Sequence, residues 1–163
     1  MTAAERPVAY SIPQAVPVAL VRPTRSAHLR AGTASDNVVF DGDDDADTVH
    51  LVITTGADAV SDPESIVAVS TWLVRSSLDR PGVAALQLRG MAVHGDHRSG
   101  SLGSRLIAAG VELARQRSIA VLWANARDSA LAFYERNGFT PVGDGFITAD
   151  TKLPHHRIVR DLD

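Results

Sequence analysis

The chain of 163 residues contains no cysteine. That excludes disulfides, a thiolate nucleophile and cysteine-held zinc. No stretch approaches 18 consecutive apolar residues, so no segment has the length of a membrane span. There is no excess of base: 16 Lys plus Arg stand against 19 Asp plus Glu, and the pI is about 6.0. A nucleic-acid-binding domain is normally strongly basic, so neither nucleic acid nor membrane is an expected partner. Met1–Pro7 has no apolar core behind its charges, so it does not read as a signal peptide, and a cytoplasmic location is expected. Two phosphate-binding signatures are also missing. No Gly-Lys-Ser/Thr closes a Walker loop, and no Gly-x-Gly-x-x-Gly opens a dinucleotide fold.

What is present suits one α/β domain, large enough to bury a core without staples. Residues 1–15 carry two prolines and little pattern, and read as a loosely held lead-in to a single domain over 16–163. Val16–Val21 suits an edge strand that tolerates Pro17. Thr24–Gly32 suits a short helix. Val49–Thr54 reads as a strand, Gly56–Ser65 as a turn region, and the β-branched run Ile66–Val74 as a central strand. Ala84–Val93 is the next strand, with Gly90 inside it marking a bulge or a close backbone approach. Leu102–Arg117 places Leu102, Leu106, Ile107, Val111 and Ala114 on one helical face. Ile119–Ala124 then reads as a buried strand. A short helix over Ser129–Arg136 stops at Asn137-Gly138, and Phe139–Val142 and His156–Leu162 close as strands. Trp72 and Trp123 fall on central strands and read as core. The fold class is α/β (α+β in some schemes), with a mixed, mostly antiparallel central sheet flanked by helices.

The chemistry concentrates in His97–Ser104, between a strand and the strongest helix. Unpaired backbone N–H groups and the helix dipole favour an anion there, and small residues let phosphate oxygens approach. Arg98 adds charge, and Ser99, Ser101 and Ser104 add hydroxyls. A pyrophosphate is the natural guest; a plain helix-capping turn is the alternative.

This stretch resembles the pyrophosphate motif Arg/Gln-x-x-Gly-x-Gly/Ala of the GNAT superfamily of N-acetyltransferases, here Arg98-Ser-Gly-Ser101-Leu-Gly103. Ser101 stands at the middle glycine, where its Cβ is tolerated if the backbone has negative φ. A second resemblance is Ala130-Leu-Ala-Phe-Tyr134 leading to Gly138-Phe139, against the pattern Asn-x-x-Ala-x-x-x-Tyr. Arg127 replaces the leading Asn, and Asn125 lies two residues earlier. The strand Leu88–Val93 is the third. With Asp41–Asp45, His50, Val67-Ala68 and Pro154-His155, the chain looks like the ElaA-like branch from about Leu20 to Leu162.

The resemblance implies a GNAT-like fold and acetyl-CoA as cosubstrate, with no metal. It implies contacts from Met91, Ala92 and Val93, from the loop Arg98, Ser99, Gly100, Ser101, Leu102, Gly103 and Ser104, and from Asn125, Arg127 and Tyr134. Tyr134 would be the general acid, with an ordinary pKa of about 10. The base stays open among His94, His50, His155 and water. Without cysteine, transfer would be direct, to a small-molecule or peptide amine that the sequence does not name. Relatives often form homodimers. The alternative is a module that binds acyl-CoA without turnover.

Asp41-Gly-Asp-Asp-Asp-Ala-Asp47 reads as a solvated loop or as an acidic rim attracting a cationic acceptor. Calcium is disfavoured, because Ala46 and Val52 fill positions six and twelve of such a loop. His94-x-x-His97 lacks a third metal ligand.

Overall fold

A computed structural model describes residues 7–56 and 62–163, the side chains of Ser99 and Gly100 excepted. The strands are β1 (Gln14–Val16), β2 (Val49–Thr54), β3 (Ile66–Val74), β4 (Ala85–Val93), β5 (Val121–Arg127), β6 (Thr140–Ile147) and β7 (Pro154–Asp161). They form one sheet in the order β1-β2-β3-β4-β5-β7-β6. Every neighbouring pair is antiparallel except β4 with β5. The helices are α1 (Arg22–Thr24), which runs on as a π-helical turn over Arg25–Leu29, α2 (Leu102–Gln116) and α3 (Leu131–Arg136). Among the described residues, no helix is long and apolar enough to cross a membrane.

The apolar face read from the sequence is the face that α2 buries. Leu102, Leu106, Ile107, Val111 and Ala114 pack with Trp72, Leu86, Leu88 and Leu122 of the sheet. Trp72 is fully buried, and its indole N–H donates to the Ser70 hydroxyl. Trp123 is only partly buried; it packs in a small separate cluster and donates to the Arg75 carbonyl.

Several ends differ from the sequence reading. The lead-in is held from Tyr10 onward: Tyr10 bridges Thr55, the Ser11 hydroxyl accepts from the Thr54 N–H, and β1 pairs with β2. Residues 1–6 lie outside the described part. The first strand ends at Val16, because Pro17 opens a 3-10 turn over Val18–Leu20. Within the Gly56–Ser65 turn region, Pro63–Ser65 is a 3-10 turn, and residues 57–61 lie outside the description. β5 starts later than expected because α2 closes through a left-handed Ser118. It then runs on to Arg127, where β7 supplies seven paired positions. β6 extends to Ile147 across a register shift between Val142 and Phe146.

Two features of β4 position the site. Its pairing with β5 stops at Leu88↔Ala124, so Arg89–Val93 and Asn125–Arg127 diverge. Between Val69↔Ala92 and Thr71↔Arg89 the register slips, setting Gly90 and Met91 opposite Ser70 alone. Gly90 takes φ +59 there, and a Cβ would meet the Phe40 ring at 2.7 Å and Arg25 at 2.9 Å. Only glycine fits both demands.

Candidate functional site

Where β4 and β5 part, the backbone groups of Arg89–Val93 on the β5 side have no strand partner. The gap opens into a cleft of about 610 Å³. Of the residues expected from the sequence, Met91, Ala92, Val93, Arg98, Ser101, Gly103, Asn125, Arg127 and Tyr134 line it. Two do not. The Leu102 side chain is buried in the core, leaving only its backbone N–H for the site, and Ser104 lines a separate, smaller depression with Asn137 and Arg160. The side chains of Ser99 and Gly100 lie outside the described part; their backbone ends the 3-10 turn Gly95–Gly100 that leads into α2.

The mouth of the cleft is the N-terminus of α2. The helix begins without a side-chain cap, and its first backbone bond runs from Arg105 N–H to the Ser101 carbonyl. The N–H groups of Leu102, Gly103 and Ser104 therefore have no partner within the helix. Ser101 does not have the negative φ under which its Cβ is tolerated without cost. It sits at φ 57, ψ 26, in the left-handed region that glycine adopts freely and L-residues adopt at a cost. A conformation that favours glycine is thus held by a serine. Gly103 packs on α3: a Cβ there would meet the Phe133 ring at 2.8 Å.

Tyr134 owes its position to the end of α3. Gly138 takes φ +86, its N–H donates to the Glu135 carbonyl, and the Phe139 N–H donates to the Tyr134 carbonyl. This closure buries Phe139 with its ring 5.7 Å from that of Tyr134, edge-on. Phe133 also packs edge-on against it, at 5.1 Å. Among the described residues, the Tyr134 hydroxyl makes no hydrogen bond. Burial pushes its pKa up to about 12, against the opposing pull of Arg127, so the ordinary value expected from the sequence does not hold. Arg127 itself donates to the Leu29 carbonyl, tying β5 to the turn after α1.

The candidate bases separate by position. His50 is buried away from the cleft: its Nε2–H donates to the Asp43 carbonyl at 2.9 Å, and its Nδ1 accepts from Thr71 at 2.8 Å. Both ring nitrogens are committed, so His50 is structural. His94 is not among the cleft residues; its ring contacts those of His28, with centroids 4.3 Å apart, and His97 at 5.5 Å. His155 lines the cleft and is buried. Its Nδ1–H donates to the Leu153 carbonyl at 2.8 Å, which leaves the lone pair of the neutral ring on Nε2.

The sequence reading missed several lining residues: His28, Arg30, Phe40, Gln87, Arg89, Thr148, Asp150 and Thr151. Burial, His94 and Arg98 lower the His28 pKa, with Asp96 opposing them. The acidic segment does not rim the cleft; of residues 40–47, only Phe40 lines it. Asp43 is instead buried in a polar network. Arg25 donates to both of its carboxylate oxygens, at 2.8 and 3.0 Å, and the Phe40 N–H donates to it at 2.9 Å. Burial works to raise the Asp43 pKa, but Arg25 and the Phe40 N–H outweigh it, and the net shift is downward. Among the described residues, no group of three His, Cys, Asp or Glu is placed to hold a metal ion.

Comparison with known proteins agrees with this fold. Escherichia coli ElaA superposes with a TM-score of 0.68 at 16% identity, covering 94% of this chain and 99% of that one. FeeM, an N-acyl amino acid synthase from uncultured soil microbes, gives 0.71 at 12% identity, over 95% and 92%. A Bacillus anthracis chain solved in complex with acetyl coenzyme A gives 0.55 at 14% identity, over 71% and 63%. These are similarities of fold. No curated protein matches the chain in sequence. The model of the acetyltransferase (GNAT) domain matches residues 50–141, more than half of the chain, from β2 through α2 and α3 to the start of β6; the chain belongs to the GNAT acetyltransferase family.

Proposed function

We propose that this chain is an acetyl-CoA-dependent N-acetyltransferase that moves the acetyl group directly to a primary amine. The observation that carries this reading is the parting of β4 from β5 after Leu88 and Ala124, with the uncapped start of α2 at one end of the gap and Tyr134 on its wall. The residues fit the cosubstrate. Arg98 and the N–H groups of Leu102, Gly103 and Ser104 can hold a pyrophosphate, and the free β5-side backbone of Arg89–Val93 can pair with an amide-bearing arm. Acetyl-CoA bound there supplies an activated thioester.

The chain's own groups do the rest. The backbone N–H at the Gly90–Met91 bulge donates to the carbonyl oxygen on which negative charge builds. Nε2 of His155 takes the proton from the attacking amine nitrogen as the C–N bond forms. The Tyr134 hydroxyl gives its proton to the sulfur as the C–S bond breaks, leaving amide and thiol. Tyr134 is fully protonated at neutral pH, and the nearby charge of Arg127 favours the phenolate that proton transfer leaves behind.

Acetyl-CoA at 100 times its dissociation constant should stabilise the fold by about 2.7 kcal/mol. Release of free thiol with an amine panel then separates turnover from mere binding. A chain whose melting is indifferent to acetyl-CoA would end this reading, and binding without thiol release would turn it into a non-catalytic module.

A further inference from the structure

The cleft is cationic, and among the described residues two of its cations, Arg89 and Arg98, make neither a hydrogen bond nor an ion pair. Arg30, Arg89, Arg98 and Arg127 line it, against a single carboxylate, Asp150. Arg98 lies beyond the C-terminal end of β4, at the start of α2. Arg89 lies at the other end of the free stretch of β4, roughly 13 Å along the strand from Val93. Three guanidinium groups stand over the Phe40 ring there: Arg25 at 4.1 Å, Arg89 at 4.7 Å and Arg30 at 5.3 Å. Arg25 is neutralised by Asp43. Arg30 donates to the Asn37 carbonyl and lies 3.5 Å from Asp150. Arg89 is half-buried and, among the described residues, has neither a hydrogen bond nor an ion pair. A partly desolvated cation among other cations is unfavourable unless an anion joins it. Burial and the charges of Arg75, Arg25 and Arg30 all push the Arg89 pKa down, with Asp43 opposing.

We propose that Arg89 receives a carboxylate of the acceptor, so that the acceptor is an amine of the amino-acid class, not a polyamine or an amino sugar. This rests on the transferase reading and narrows it. The guanidinium fork matches a carboxylate with two parallel hydrogen bonds. The Phe40 ring fixes the plane of the fork. Phe40 is in turn held by its N–H bond to Asp43 and by the space that Gly90 leaves. Arg30 adds attraction, and Asp150, ion-paired to it, can receive the ammonium end of a zwitterion.

The test is calorimetry without coenzyme, using N-acetyl-α-amino acids as product probes, with each acid compared with its carboxamide. At least one acid should bind, its carboxamide about tenfold to a hundredfold more weakly, and Arg89→Gln should erase the difference. Acetyl-CoA affinity, followed by thermal shift, should be the same in Arg89→Gln and the parent. Equal binding of acid and carboxamide, no binding by any acid, or tighter binding of spermidine would overturn the proposal. A matching loss of acetyl-CoA affinity in Arg89→Gln would also overturn it, assigning Arg89 to a coenzyme phosphate. The acid–carboxamide comparison on the unaltered chain needs no variant to fold. If the parent ignores acetyl-CoA yet discriminates acid from carboxamide, the transferase reading fails and the carboxylate site stands.

Discussion

The Arg25 guanidinium grips the Asp43 carboxylate with two hydrogen bonds where neither side chain reaches solvent: their exposures are 0% and 1%. The pair ties the turn after α1 to the acidic segment, and Thr71 of β3 accepts a further bond from Arg25 at 2.7 Å. Removing one charge leaves the other buried and unpaired, so Asp43→Asn should destabilise by about 3–5 kcal/mol. Asp44 and Asp45 are exposed, and changing either to Asn should be nearly neutral. The Asp43 pKa is lower folded than unfolded, so its contribution is fully present above the unfolded value near 3.8 and is lost as pH falls through the folded value. Denaturant melts of parent and Asp43→Asn should therefore converge on acidification below about pH 4. A constant gap would show that packing, not charge, sets the loss.

Much of the fold was legible because local chemistry and global position agree. β-branched runs give β2 and β3 their observed ends, and the 3.6-residue period finds the buried face of α2. Gly90 marks its bulge for the reason read from it, since a glycine inside an apolar strand signals backbone that a side chain cannot share. What could not be read is what depends on distant partners. Asp43 looks solvated until Arg25, 18 residues earlier, is brought against it. Arg89 looks like a polar position on a strand until the parting of β4 and β5 turns it into a cleft wall. His155 and His50 are equivalent as sequence, and only their hydrogen bonds tell the free imidazole from the committed one. The left-handed Ser101 contradicts the residue's own preference, so nothing local announces it.

Tyr134→Phe should lower kcat about 10²–10⁴-fold while leaving the acetyl-CoA dissociation constant within about twofold. The ring keeps its contacts with Phe133 and Phe139, and the hydroxyl has no bond to lose among the described residues. With the pKa pushed up to about 12, the acid form persists well above neutrality, so the parent's kcat should show no alkaline fall below about pH 11. Single-turnover rates across pH check both points. Unchanged turnover in the variant would return Tyr134 to a packing role.

His155→Gln should lower kcat/KM, because glutamine has no basic lone pair to take the proton of the attacking amine. The rate should drop by about two orders of magnitude at neutral pH, and the acetyl-CoA thermal shift should persist. His50→Gln should instead lower stability with little effect on turnover, since His50 bonds Thr71 and the Asp43 carbonyl outside the cleft. Unchanged turnover in His155→Gln would leave water as the base.

Ser101→Gly tests whether the left-handed residue at the start of α2 is strained. A left-handed L-residue costs about 1–2 kcal/mol, and the extra freedom of glycine in the unfolded chain takes back about 0.4–1. The substitution should therefore stabilise by about 0.5–1 kcal/mol, a rise in Tm of roughly 1–4 °C for a chain of this size. The serine hydroxyl does not cap the helix, so no hydrogen bond offsets the gain. Because the loop already holds the glycine geometry, acetyl-CoA affinity should be unchanged or better. Gly103→Ala is the contrasting variant at the same helix start. Its Cβ would come within 2.8 Å of the Phe133 ring, so it should lower Tm without ligand and weaken acetyl-CoA binding as well. Calorimetric melts of both variants, each with and without acetyl-CoA, separate backbone strain from cleft shape. A Tm drop in Ser101→Gly would mean that the serine side chain makes a stabilising contact in the folded chain and that the left-handed turn is not a source of strain.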